Sequence, residues 1–217
     1  MNILSSRRIN GFLTTPITGI IQAGGHIGQE VSVFLEYCTN IIIFEPQKDI
    51  YKVLVEACRG TTVTTVNLAL GAYSSESILM FKDNFEQMSS SLLKPKLHIL
   101  QYPMIEFKST ENVSMTTIDV FFGDAPFNYN MLVLDTQGYE LEILKGATKR
   151  LSSIDYILCE VSLIELYESC PLLSDIDNFL YGYGYHRIEL TLEGGTWGEA
   201  FYVRAPITRP NTSGATS

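Results

Sequence analysis

The stretch I-I-Q-A-G-G-H-I-G at residues 20–28, followed by I-I-I-F-E at residues 41–45, decides the fold of this chain. Each run opens with consecutive apolar residues, and the residues between the runs repeat apolar side chains at helical spacing. A second amphipathic segment follows Pro46, and residues 62–67 are dense in β-branched side chains. Continuous apolar strands separated by amphipathic helices predict a parallel sheet that is covered on both faces.

The same alternation continues toward the C-terminus. Further strands are predicted at residues 131–135, 156–160, 185–190 and 200–204, and helices at 138–151 and 172–181. The pattern indicates one doubly wound α/β domain over residues 1–205. Residues 206–217, rich in Thr, Ser, Pro and Gly, are expected to be a disordered tail.

Residues 82–112 interrupt this pattern with a polar, irregular stretch between two short predicted strands at 77–81 and 113–117. A long irregular segment inside a compact domain is more often functional than idle. We therefore expect residues 82–112 to form a lid over an active site.

Composition narrows the class of function. The chain has 217 residues, of which 46% are hydrophobic, and its 24 acidic residues exceed its 15 Lys and Arg to give a net charge of −9. An acidic surface repels phosphate backbones, so nucleic acid is not an expected partner. No apolar run approaches the ~18 residues that a membrane span needs, and the four cysteines lie far apart, as in a reducing compartment. These features predict a cytoplasmic protein without a membrane span.

Polar side chains end four of the predicted strands, at Gln22, Glu45, Asp135 and Glu160. In an open parallel sheet, ligands bind at the carboxyl ends of the strands. A glycine turn follows Gln22, and Glu45 is positioned to accept hydrogen bonds from both hydroxyls of a ribose. The sequence therefore predicts a nucleoside-containing ligand, although Ala23 stands where the dinucleotide fingerprint needs its first glycine.

Several blocks of the sequence occur together in one known family. They are I-I-Q-A-G-G-H-I-G-Q-E, I-I-I-F-E-P, V-N-L-A-L-G, M-T-T-I-D and L-V-L-D-T-Q-G-Y-E-L-E-I-L-K-G-A, in this order. In these blocks the chain resembles the FkbM-type methyltransferases, most specifically in D-x-x-G-x-E-x-x-x-L-K-G-A. The resemblance implies a seven-stranded Rossmann-like sheet with an antiparallel last strand. It also implies methylation of a sugar or glycoconjugate hydroxyl that depends on S-adenosylmethionine.

The resemblance also assigns roles to residues that bind the cofactor. Around the methionine part it places Gln22, Gly24, Gly25, His26 and Gly28; on the ribose hydroxyls, Glu45; beside the adenine, Asn67 and Leu68; and where cofactor and acceptor meet, Asp135. Two positions depart from the family, which usually carries Asp at the position of Gln22 and Glu at the position of Gln137. Each replacement keeps an acceptor oxygen and removes a negative charge, which puts cofactor affinity in question.

An alcohol is a poor nucleophile, so a base or a metal should assist removal of its proton. Asp135 is the first candidate, as base or as ligand of a divalent metal such as Mg²⁺ or Mn²⁺, and Glu160 is a candidate second ligand or a helix cap. His98 is a candidate base if residues 82–112 fold over the site.

The acceptor is expected to be a small molecule or a glycan. Sugar recognition commonly uses an aromatic platform with polar groups around it. The candidates for acceptor binding are Trp197, Glu199, Tyr102 and Gln137.

Two other functions stay open from the sequence. An NAD-dependent oxidoreductase could use a similar sheet, although Ala23 and the absence of a Tyr-x-x-x-Lys pair count against it. A binding module without catalytic activity would fit the neutral Gln22 and Gln137. The chain could also be one piece of a larger glycan-biosynthesis protein.

Overall fold

A computed structural model describes residues 8–204. In chain order, the strands within that range are β1 (Ile20–Ala23), β2 (Ile41–Phe44), β3 (Thr64–Val66), β4 (Ala69–Leu70), β5 (Ser75–Lys82), β6 (Ser109–Thr116), β7 (Met131–Leu134), β8 (Tyr156–Ser162), β9 (Tyr185–Glu193) and β10 (Trp197–Arg204). The helices are α1 (Val31–Tyr37), α2 (Lys48–Ala57), α3 (His98–Gln101), α4 (Ile118–Phe122), α5 (Glu140–Lys145) and α6 (Leu173–Gly182), with 3-10 turns at Arg8–Gly11 and Leu151–Ser153.

Seven strands form the main sheet, in the order β3-β2-β1-β7-β8-β10-β9. Strands β1, β2, β3, β7 and β8 pair in parallel, and β10 runs antiparallel to both of its neighbours. This confirms the predicted doubly wound, seven-stranded α/β sheet with an antiparallel last strand. The chain leaves β1 toward β2 on one side and later returns to β7 on the other, so the switch point lies between β1 and β7.

Alternate residues of the central strands feed two cores, one on each face of the sheet. On β1, Ile20 packs toward α1 and α2, whereas Ile21 packs toward α5, α6 and the β4–β6 region. Every residue of β1, β2 and β7 is buried, which explains why these strands appear as uninterrupted apolar runs in the sequence.

The two strands that border residues 82–112 stand outside the main sheet. Strands β5 and β6 pair antiparallel, and β4 adds to β6 in parallel, so the second sheet has the order β4-β6-β5. This small sheet packs on the same core as β7, α5 and α6 through Met80, Val113 and Met115.

Two helices are shorter than the periodicity predicts. The helix expected near Ile27 begins at Val31, because residues 28–30 form a turn in which the Val31 N–H donates to the Gly28 carbonyl. The helix expected over 138–151 ends as α5 at Lys145, where a Cβ on Gly146 would lie 2.0 Å from the Gly71 carbonyl oxygen.

Candidate functional site

A cleft opens at the carboxyl ends of β1, β2 and β7, at the predicted switch point. It encloses about 790 Å³, counting the part that is open to solvent. Its apolar wall includes Phe44, Leu68, Leu70, Met80 and Leu92. Polar groups enter it from the turns after all three strands, so one cavity combines an apolar surface with charged groups at its rim, as ligand sites commonly do.

The glycine turn after β1 allows two strand ends to meet. Gly24 has φ +80°, and a Cβ at this position would lie 1.8 Å from the carbonyl oxygen of Asp135. The Gly24 and Gly25 N–H groups both donate to the Phe44 carbonyl at 3.0 Å. Only glycine fits position 24, because it accepts the left-handed conformation and lets the ends of β1 and β7 approach.

Glu45 is almost fully buried at the end of β2, with 3% of its surface exposed. One carboxylate oxygen accepts from the His26 backbone N–H at 2.9 Å, and the other accepts from the Gln47 backbone N–H at 2.8 Å. Burial raises the pKa of Glu45 to about 7, although these N–H groups lower it. Each oxygen has further acceptor capacity, which suits a ligand that carries two adjacent hydroxyl groups.

Three glutamine side-chain oxygens are buried without a hydrogen-bond partner among the described residues, namely Gln22 Oε1, Gln47 Oε1 and Gln87 Oε1. Gln47 and Gln87 line the cleft, whereas Gln22 lies behind it and donates to Glu30. Buried acceptors normally have donors, so the unpaired oxygens of Gln47 and Gln87 indicate a ligand that supplies N–H or O–H groups. Together with the apolar wall and Glu45, these groups fit an adenosyl ligand.

An acidic pair lies where β7 ends: Asp135 directly follows that strand, and Glu160 lies inside the neighbouring β8, which runs on to Ser162, past the end predicted at Glu160. The Gln137 side-chain nitrogen donates to Asp135 Oδ1 at 2.9 Å and to Glu160 Oε2 at 2.8 Å, so one amide holds both carboxylates. Tyr167 donates its hydroxyl to Gln137 Oε1 at 3.0 Å and fixes the amide orientation. Gln137 has φ +57°, a conformation that costs a non-glycine residue energy and that these contacts stabilise.

The pair has perturbed pKa values. Asp135 is accessible to solvent within the cleft, yet the surrounding protein desolvates it enough to raise its pKa, while Gln137 and Glu160 lower it by hydrogen bonding. Burial and the charge of Asp135 raise the pKa of Glu160 further. We expect Asp135 to ionise first and Glu160 to retain its proton.

Glu140 is a buried carboxylate close to this pair, and its contacts stabilise the local structure. Its Oε1 accepts from the Thr136 N–H at 2.8 Å, the Thr136 hydroxyl at 3.0 Å and the Gly138 N–H at 3.1 Å. Burial raises its pKa to about 7. Glu140 therefore holds the turn that carries Gln137 and does not line the cleft.

Part of the 82–112 segment covers the cleft. The buried carboxylate of Asp83 accepts from the backbone N–H groups of Phe85, Gln87 and Ser89 and so shapes residues 83–90 into a tight loop. The loop contacts the side of the cleft that the glycine turn forms, because His26 Nε2 donates to the Glu86 carbonyl at 2.8 Å. Residues Gln87, Met88, Ser90 and Leu92 of this segment line the cleft.

His98 lies in the same segment but away from the cleft lining. It is buried among the rings of Tyr102, Phe107 and Tyr167, with centroid distances of 5.1, 5.4 and 5.4 Å. Burial lowers the pKa of His98, so it stays neutral near pH 7. Its contact with the acidic pair runs through Tyr167 and Gln137.

Two residues expected to bind the acceptor pair with each other. Trp197 is the first residue of β10 and donates its indole N–H to the Tyr102 hydroxyl at 2.7 Å. This bond joins the 82–112 segment to the β9–β10 hairpin. Glu199, the third candidate on this side, is half-buried and lies opposite Glu160 in the register of β8 and β10.

The structure divides the predicted site residues into two groups. Those that line the cleft are Gly24, His26, Glu45, Leu68, Asp135 and Gln137, and those that do not are Gln22, Gly25, Gly28, Asn67, His98, Tyr102, Glu160, Trp197 and Glu199. Asn67 donates to the Glu45 and Pro46 carbonyls and so supports the turn after β2. The roles of all these residues stay predictions.

Sequence reasoning missed lining residues that follow recognised signals by one or two positions, such as Gln47 after Pro46 and Glu30 after the glycine turn. Their position next to a strand end or a helix start was the available signal. No group of three His, Cys, Asp or Glu side chains suited to a metal ion occurs within residues 8–204. A metal held by Asp135 and Glu160 would have only these two carboxylates and the Gln137 amide from the described chain.

The sheet order and the cleft at its switch point define a Rossmann-like α/β domain. Residues 22–187 match the family model described as the methyltransferase FkbM domain, and the chain belongs to the FkbM methyltransferase family. Among solved structures, the magnesium protoporphyrin IX methyltransferase ChlM from Synechocystis, determined with bound SAM, matches with a TM-score of 0.52 over 94% of this chain and 76% of that one. At 8% identity, this likeness shows the fold alone.

Two curated relatives are similar in sequence. The hexuronic acid methyltransferase AglP from Haloferax volcanii is 27% identical over 143 residues, which are 62% of this chain and 54% of that protein. The 2-O-methyltransferase NoeI from Sinorhizobium fredii is 28% identical over 92 residues, which are 42% of this chain and 38% of that protein. The match therefore spans about half of the first relative and less of the second.

The helices within residues 8–204 are too short or too polar to cross a bilayer. The cytoplasmic location stays a prediction, as does the single-domain boundary at residue 205. The tail expected at residues 206–217 lies outside the described residues.

Proposed function

We propose that this chain is an S-adenosylmethionine-dependent O-methyltransferase that acts on a hydroxyl group of a sugar or glycoconjugate. The observation that carries the proposal is a single cleft lined by the glycine turn, by the buried Glu45 and by Asp135. The activities of the two relatives, a hexuronic acid methyltransferase and a 2-O-methyltransferase, support a sugar as the acceptor. The family match favours methyl transfer over the oxidoreductase alternative.

The cofactor supplies a methyl group bonded to a positively charged sulfur. On the protein side, Glu45 would hold the ribose hydroxyls, and the backbone at Gly24 and the amide of Gln47 would border the same ligand. Leu68 and Met80 offer apolar surface for the adenine ring of the cofactor. Positioning of this kind supplies much of the rate of an in-line displacement.

Asp135 would act as the base that takes the proton of the acceptor hydroxyl. Its raised pKa makes it a stronger base than an exposed aspartate, and Gln137 orients it from the other side. Glu160 keeps its proton beside the ionised Asp135 and limits the repulsion between them. Residues 83–92 would close over the cleft and reduce access of water.

Calorimetry with S-adenosylhomocysteine, beside NAD, tests the cofactor class directly. Binding of S-adenosylhomocysteine alone is expected, and NAD binding alone would overturn the proposal. Incubation with labelled S-adenosylmethionine and a panel of glycans then tests the reaction. Binding without transfer to any glycan, with and without added Mg²⁺ or Mn²⁺, would favour the non-catalytic module.

A further inference from the structure

Strand β1 carries no charged side chain where it leads into the glycine turn, but the carboxylate of Glu30, the residue before α1, reaches the same place. Gln22 is 2% exposed, and its side-chain nitrogen donates to Glu30 Oε2 at 3.3 Å. Glu30 lines the cleft, whereas Gln22 lies behind it. The carboxylate thus stands between the end of β1 and the cavity.

Glu30 has no structural task that would explain a carboxylate at this position. It is the residue before α1, yet its side chain makes no capping hydrogen bond to the helix. No Lys or Arg whose side chain the structure describes, within residues 9–204, forms an ion pair with it. A partly buried carboxylate without a cap or a cation is normally avoided unless it binds something.

The charges that face Glu30 leave room for a cation. Burial first and the charge of Asp135 second raise the pKa of Glu30, so two carboxylates oppose each other across the cleft. His26, from the glycine turn, is engaged by the Glu86 carbonyl at Nε2 and by the Gln29 amide at Nδ1. A ligand group with a positive charge would satisfy both carboxylates.

We infer that Glu30 binds the α-ammonium group of the cofactor, with Gln22 holding the carboxylate from behind. This inference rests on the proposed function. The neutral Gln22 then donates to Glu30 and fixes its direction, and an Asp at position 22 would instead repel it.

A swap of the two side chains provides the sharpest test. Glu30→Gln removes the charge and keeps the shape, and the double variant Gln22→Glu, Glu30→Gln returns one carboxylate and one amide in reversed order. Glu36→Gln, an exposed acid on the same helix, is the matched control. Each is titrated calorimetrically at pH 7.5 with S-adenosylhomocysteine and with 5′-methylthioadenosine, which keeps the nucleoside and thioether but lacks the amino-acid part.

For Glu30→Gln, we expect about tenfold weaker binding of S-adenosylhomocysteine, since a bond between charged groups is about twice as strong as a neutral one. Binding of 5′-methylthioadenosine should stay unchanged. The double variant carries its carboxylate behind the cleft and should bind as weakly as Glu30→Gln, and Glu36→Gln should match the wild type.

Three results would overturn the inference. If Glu30→Gln binds S-adenosylhomocysteine as the wild type does, Glu30 does not hold the ammonium. If it loses both ligands equally, the residue acts on the shape of the cleft. If the wild type binds neither ligand, the proposed function itself fails, which distinguishes the two conclusions.

Discussion

Binding of S-adenosylhomocysteine should tighten as pH rises, because Glu45 must ionise to accept two ribose hydroxyls. Its pKa lies at about 7 in the free protein. A group with that pKa is about one tenth ionised at pH 6 and about nine tenths ionised at pH 8. If the ligand requires the ionised form, affinity should rise close to tenfold between these values.

The same linkage predicts proton release. At pH 6, binding should release nearly one proton from Glu45, and at pH 8 only about a tenth of one. Calorimetry in two buffers of different ionisation enthalpy measures this number directly. Glu30 and Asp135 face the same cleft and can titrate as well, so the wild type alone does not isolate Glu45.

Glu45→Gln supplies the comparison. It should bind more weakly and lose most of the tenfold pH effect, while contributions from the other groups and from the ligand remain in both proteins. Thermal melting checks that the variant is folded, because one of the N–H groups of His26 and Gln47 would face an amide nitrogen instead of an oxygen. An affinity that is flat from pH 6 to 8, or an equal slope in Glu45→Gln, would refute the assignment of Glu45 to the ribose.

Further changes test other parts of the structure. Asp135→Asn should keep S-adenosylhomocysteine binding and lose methyl transfer by about 10²–10⁴-fold in kcat, and retained turnover would remove it as the base. Gly24→Ala should destabilise the fold by more than the ~1–2 kcal/mol of a left-handed alanine, because its Cβ meets the Asp135 carbonyl; wild-type urea unfolding would contradict this. Glu140→Gln keeps an oxygen for all three donors and removes the cost of ionising a buried carboxylate, so it should stabilise the protein by up to about 3 kcal/mol at pH 8. At pH 4 the carboxyl is largely protonated in the folded and the unfolded protein, so the substitution should have little effect there. Equal effects at the two pH values would contradict the raised pKa of Glu140. Trp197→Phe should cost about 1 kcal/mol in urea unfolding through loss of the bond to Tyr102, and an unchanged midpoint would contradict the importance of that bond.

The central sheet could be predicted from the sequence because its strands are buried on both faces. Uninterrupted apolar runs mark β1, β2 and β7, and acidic residues at strand ends lie at one edge by topology alone. The positions of Glu45 and Asp135 in one cleft followed from this geometry. Helix ends were less predictable, because α5 stops where Gly146 meets a distant backbone carbonyl, a contact that leaves no periodic signal.

The packing of the 82–112 segment could not be predicted from the sequence, because its contacts join residues that are far apart along the chain. His98 packs against Tyr167, 69 positions later, and Trp197 bonds to Tyr102, 95 positions earlier. From the sequence, Trp197 looked equally suited to bind a sugar or to pack the loop, since sequence shows the type of a side chain and not its partner. The structure satisfies the Trp197 N–H internally, which reduces its need for a ligand partner.

The acidic groups of the cleft are costly to ionise when no ligand neutralises their charge. Glu30, Glu45 and Asp135, which line the cleft, have raised pKa values, as does Glu160 beside it, and burial is the first cause in each case. Desolvation without a compensating cation destabilises the ionised forms, so the free protein holds charge there at a cost to stability. A ligand with one positive centre near Glu30 and another near Asp135 would reverse that cost. The electrostatics of the cleft thus select a cationic ligand over a neutral or anionic nucleoside, and they do so even though Gln22 and Gln137 are neutral.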